Sequence, residues 1–169
     1  MMSRALPLLS LVLSVACMSA DSAPNSTTLP IAVIGNSDSH SYHDDVWLGP
    51  EASLRGGPHR ASTWQWTEVL TQLRPNALDF GPFGVHGVSP RVGRGLRWIG
   101  VAKPVPRKRD FQHVMAWSGA GCRDVEHGWA PQLPPLLALL RADTARWARG
   151  VVVVRIGVNS FGQSTHLEA

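Results

Sequence analysis

An α/β fold, with a parallel sheet covered by helices on both faces, is predicted from three observations. Apolar runs recur at Leu29–Ile34, Phe111–Trp117 and Val151–Ile156, the first and last of them with β-branched residues. Helical patterns separate them, at Trp64–Leu73 and Pro131–Arg149. Each apolar run stops at small or polar residues: GNSDS at Gly35–Ser39, SGAG at Ser118–Gly121 and GVN at Gly157–Asn159. In open α/β sheets, ligands bind in the crevice just beyond the carboxyl ends of the strands.

The elements follow in chain order. Met1–Arg4 is positively charged and Ala5–Val15 is apolar but too short to span a bilayer, the pattern of an export signal over residues 1–20. Small residues in Ser14-Val15-Ala16 and Met18-Ser19-Ala20 offer cleavage positions, and Asp21–Thr28 reads as a polar tether. Cys17 opens a lipoprotein alternative, although Ser14 stands where an aliphatic residue is usual. Either route makes the mature protein secreted or periplasmic. Leu29–Ile34 fits a strand buried on both faces. Trp64–Leu73 is a helix capped by Ser62 or Thr63 and closed before Pro75. Leu78–Gly100 reads as a long glycine-rich connection with a short strand at Leu96–Val101, and Phe111–Trp117 as a second core strand. Pro131–Arg149 is one amphipathic helix with Pro134 and Pro135 in its first turn. Val151–Ile156 is the strongest strand signal.

Bulk composition agrees with one globular domain over residues 29–169. The chain has 169 residues, 44% hydrophobic and 17% charged, with net charge +4 and pI near 9.8. Arg91, Arg94, Arg97, Lys103, Arg107, Lys108 and Arg109 form a basic stretch, read as a solvated loop. It leaves an anion-binding role as a weak option, and no nucleic-acid partner is expected. Cys122 is the single cysteine of the folded domain, either a free thiol or a small buried hydrophobe. No zinc-like spacing exists, and no transmembrane span is expected. Oligomeric state is not encoded legibly.

The three strand ends carry residues suited to acyl transfer. A serine attacks a carbonyl only when a base takes its proton and donors hold the developing oxyanion. Ser37 supplies the hydroxyl, Gly119 an unscreened backbone N–H, and Asn159 a side-chain amide. Each alone is an ordinary turn or cap residue. Their ordered occurrence at successive strand ends is what carries weight.

On these residues the chain resembles the SGNH/GDSL hydrolase superfamily of serine esterases and lipases. Gly35–Ser39 is similar to its first block, G-D-S-x-S, with Ser37 as nucleophile. Gly119 stands in the second block, and Gly157–Asn159 is similar to the G-x-N of the third. The resemblance spans about Leu29 to Ser160 and implies a three-layer α/β/α sandwich with a parallel sheet. It further implies hydrolysis of a small ester or an acetylated saccharide, with Ser37, Gly119 and Asn159 as catalytic residues. No metal or organic cofactor is required.

The chain departs from the pattern in places. Asn36 replaces the usual Asp, and Asp38 a typically apolar residue. The final D-x-x-H block is not found after Asn159: His166 has Gln163 three before it. Asp124-Val125-Glu126-His127 has the spacing but lies between the second and third blocks, and is read as coincidence. The expectation is therefore an N-terminal part of a longer hydrolase, inactive alone where the missing His/Asp block supplies the base, with an uncovered sheet edge and exposed apolar faces prone to aggregation. His40, His43, Asp44 and Asp45 are expected at the rim, bound to solvent. Trp47, Trp64 and Trp66 are divided between core packing and a cleft wall. A non-catalytic glycan- or cell-envelope-binding module on the same fold is the alternative.

Overall fold

The computed structural model describes residues 28–49, 55–89, 92, 95–96, 98 and 105–161. The export signal, the tether before Thr28, Cys17, Arg91, Arg94, Arg97, Lys103, His166 and most of the strand expected at Leu96–Val101 lie outside the described residues.

The protein is mixed α/β around a three-stranded parallel sheet. Strand β1 (Leu29–Gly35) is central, with β2 (Leu78–Asp79) on one side and β5 (Val151–Arg155) on the other. The β1–β5 register runs from Ile31 opposite Val151 to Gly35 opposite Arg155. A separate antiparallel pair joins β3 (Phe83–His86) to β4 (Lys108–Phe111). Both β2 and β3 fall inside the stretch read as one long connection, where Gly81, Gly84 and Gly87 masked short strands. The expected second core strand is shared out. Residues 108–111 form β4, whereas 113–117 run beside the upper half of β1 through Val33 N–H to the His113 carbonyl (2.9 Å), Met115 N–H to the Val33 carbonyl (2.7 Å) and Trp117 N–H to the Gly35 carbonyl (3.2 Å).

Alternation along β1 divides the core. Ile31 and Val33 face Phe80, Phe111, Val114 and Ala116, with Trp66 and Leu70 of helix α1 (Trp66–Leu73) packed against them. Ala32 and Ile34 face Met115, Leu136 of helix α2 (Leu133–Ala142) and Trp147 of helix α3 (Thr144–Trp147). Both faces of β1 are thus covered. Each large aliphatic side chain withdrawn from water here contributes about 1.5–3 kcal/mol.

Helix ends differ from expectation for local reasons. Helix α1 is capped by Gln65, not by Ser62 or Thr63, because Glu68 reaches back to the Gln65 N–H (2.6 Å) and closes a capping box. The single helix expected at Pro131–Arg149 breaks at Asp143, whose carboxylate accepts the Arg146 N–H (2.9 Å) and starts α3. Replacing Asp143 by alanine is expected to cost about 1 kcal/mol. A thermal melt with an unchanged midpoint would show that this cap contributes nothing.

Strand β5, the strongest strand signal, sits at the edge of the sheet. Val151, Val152 and Val154 are exposed on both of its faces, Val154 by 62%. Among the described residues nothing pairs with its outer edge. No described helix is long and apolar enough to cross a membrane.

Candidate active site

The turn after β1 begins from a fixed point. Gln132, the cap residue of α2, holds both backbone groups of Gly35: its Oε1 accepts the Gly35 N–H and its Nε2 donates to the Gly35 carbonyl, each at 2.7 Å. A side chain at Gly35 would meet the Arg155 carbonyl at 2.6 Å, so glycine lets β5 lie this close. Asn36 is buried and accepts the Asp38 N–H (3.0 Å), which tightens the turn. Asparagine therefore serves as the turn acceptor in place of an aspartate.

Ser37 is partly exposed. Its carbonyl accepts from Arg55 Nη2 and from Gln65 Nε2 (3.0 Å), whereas its hydroxyl has no hydrogen-bond partner among the described residues. Gly119 adopts φ +85°, a left-handed conformation that favours glycine, and the space where a side chain would project is open. Helix α4 (Val158–Phe161) carries Asn159, whose Nδ2 donates to the Ala120 carbonyl at 2.9 Å. The Cys122 N–H also donates to Ser160 Oγ (2.8 Å), so the second and third loops are joined. Arg55 links the first loop to the second, since its Nη1 donates to Ser118 Oγ at 3.1 Å. The three predicted residues therefore lie on adjoining loops at one end of the sheet. No described contact joins the Ser37 hydroxyl to Gly119 or Asn159, and one Asn159 N–H is already committed to Ala120.

The larger finding concerns His40 and Asp44. They were expected at a solvated rim, yet both are fully buried. Asp44 Oδ2 accepts from His40 Nε2 at 2.7 Å. His40 Nδ1 faces Ser118, with Oγ at 3.0 Å and the Ser118 N–H at 3.1 Å. The backbone donor makes Nδ1 an acceptor and places the ring proton on Nε2, toward the carboxylate. Asp44 Oδ1 accepts three backbone N–H groups, from Val46, Trp47 and Arg109, at 2.9–3.0 Å. Burial holds the His40 imidazole below its ordinary value despite the Asp44 hydrogen bond. Burial raises the Asp44 carboxyl, but the His40 bond and the Arg109 and Trp47 N–H groups outweigh it and hold it below the ordinary range. Ser118, His40 and Asp44 thus form a hydrogen-bonded chain beside Ser37. Its sequence signal was the i, i+4 spacing of His40 and Asp44.

No family model, curated protein or solved structure matches this chain. The chemistry of the site rests on the residues themselves.

Around the chain the walls are aromatic. Buried Trp117 packs against His40, and the edge-on rings of Trp47 and Trp129 meet it at 5.3 and 5.5 Å. Trp47 and Trp129 stack at 4.9 Å and are both partly exposed. Trp66 instead joins the core and donates from Nε1 to Ser39. His43 pairs with Glu68 (2.8 Å) and, with Trp64, Phe83 and Phe111, lines an apolar recess of about 300 Å³.

Other expectations resolve as follows. His127 is exposed and pairs with its neighbour Glu126, while Asp124 accepts the Gly121 N–H. Cys122 is exposed and free, which overturns its reading as a buried hydrophobe. Lys108 is not solvated: it is buried in β4, where it donates to Asp110 (3.0 Å) and to the Ala116 carbonyl (2.7 Å). Among the described members of the basic stretch, Lys108 therefore does not belong to a charged surface. Among the described residues no cluster of three or more His, Cys, Asp or Glu side chains could hold a metal.

Proposed function

We propose that this chain is an exported serine hydrolase of carboxylic esters, built on a three-layer α/β/α sandwich, with Ser37 as nucleophile. The observation that carries the reading is the Ser37 hydroxyl. It is partly exposed and unpartnered among the described residues, on a turn whose backbone is pinned by Gln132, Arg55 and Gln65. Gly119 and Asn159 share that end of the sheet and are assigned to the oxyanion: the Gly119 N–H directly, and Asn159 through the amide hydrogen not given to Ala120.

Short-chain p-nitrophenyl esters test the assignment. Any turnover above background is expected to fall about 10²-fold or more in Ser37→Ala. Equal turnover in Ser37→Ala would remove Ser37 from the reaction.

A second reading, a glycan- or envelope-binding module, draws on the exposed Trp47–Trp129 stack. It predicts no ester turnover and quenching of tryptophan fluorescence by oligosaccharides.

A further inference from the structure

We propose that Ser118 is a second nucleophile at this end of the sheet, one whose proton is taken by His40 with Asp44 behind it, and that it accepts acyl groups from activated esters. The substrate class rests on the esterase reading above, but the geometry stands independently of Ser37.

Two groups reach this hydroxyl, and a third stands behind the first. His40 Nδ1 lies 3.0 Å from Ser118 Oγ, within reach for proton transfer. Asp44 holds the opposite ring nitrogen at 2.7 Å, fixing the tautomer with its lone pair toward the serine and offsetting the charge of an imidazolium. Arg55 Nη1 donates to the same Oγ at 3.1 Å and favours the alkoxide. The roles of the two ring nitrogens are the reverse of the usual serine protease arrangement, but nucleophile, base and orienting carboxylate occur in the same sequence. Ser118 is partly exposed while His40 and Asp44 are fully buried, so substrate meets the hydroxyl and not the base. The Ser118 N–H shares Nδ1 with the hydroxyl (3.1 Å), and Arg55 adds a positive charge beside the same oxygen, which a purely structural histidine does not need.

The step balances. Ser118 Oγ forms a bond to the carbonyl carbon as its proton passes to His40 Nδ1. Collapse of the tetrahedral intermediate breaks the bond to the leaving alcohol, which takes the proton from Nδ1. Water then repeats the sequence and frees the acid. The Ser118 N–H, displaced from Nδ1 while that nitrogen is protonated, becomes a donor at the site.

The test uses a fluorophosphonate probe on the full chain, with the modified peptide mapped by mass spectrometry. Phosphonylation forms the P–O bond, expels fluoride and sends the proton to His40. Label on Ser118 is expected, with its rate falling about 10²-fold or more in His40→Ala and in the isosteric Asp44→Asn. Circular dichroism of both variants separates lost activation from lost folding, and Asp44→Asn preserves the shape of the site. Label confined to Ser37 would overturn the proposal and leave the esterase reading standing. Label on neither serine would overturn it as well, leaving ester turnover to judge Ser37 separately. Label on Ser118 that ignores both variants would also sink it.

Discussion

Replacing Asp110 by alanine is expected to cost about 3–5 kcal/mol, the typical penalty for leaving one member of a buried ion pair alone. Asp110 is fully buried and Lys108 almost so, and the two are 3.0 Å apart. The carboxylate also accepts the Ser41 N–H (3.2 Å) and the Phe111 N–H (2.8 Å), which tie the turn after β1 to β4. Alanine would strand an ammonium and two peptide donors together. Burial already holds the Lys108 amine below its ordinary value, against the pull of Asp110. Asp110→Asn, which keeps the acceptor oxygen and lets the lysine become neutral, should therefore cost less. The double change Lys108→Met with Asp110→Ala should recover part of the loss, because no buried charge remains. Urea unfolding reads all three. A midpoint for Asp110→Ala close to the parent would show that solvent reaches this pair.

Acid is expected to destabilise the fold from about pH 6.5 downward. Burial holds His40 and His113 below the ordinary value of 6.5, outweighing the neighbouring Asp44 and Asp79 respectively. Between that value and the lower folded one, the unfolded chain binds a proton that the native chain refuses. Stability therefore falls with pH, by about 1.4 kcal/mol per pH unit for each histidine in that window. Asp44 acts in a separate, lower window. Its folded carboxyl is depressed, so its contribution is present above about 3.8 and is lost as pH falls through the folded value. Urea midpoints at pH 7.5 and 5.5 check the histidine window. His113→Gln should flatten the dependence, and a parent protein equally stable at both values would refute it.

Much of the architecture was legible because it is local. The unbroken apolar run Leu29–Ile34 marked the central strand, and the stretch Trp64–Leu73 closed by Pro75 marked the first helix. Strand-end glycines located the loops carrying Ser37, Gly119 and Asn159. Long-range pairing was hidden. Nothing in Lys108 distinguishes it from its solvated neighbours until Asp110 and the Ala116 carbonyl fold around it. Likewise the burial of His40 and Asp44 was hidden because the segments that cover them, bearing Ser118 and Arg109, lie far away in sequence. Valine richness in β5 reports strand geometry, not burial, so a strong strand signal could belong to an exposed edge.

The pairing of β1 with β5 also sets an order of events. Ile31 meets Val151 across about 120 residues of intervening chain. Closing so long a loop is entropically costly, so this contact is expected to form after the local helices. The loop bearing Asn159 follows directly on β5, whereas the turn bearing Ser37 follows β1. Neither can be positioned against the other until that late docking is complete. Loss of the β1–β5 pairing would therefore part the turn bearing Ser37 from the loop bearing Asn159.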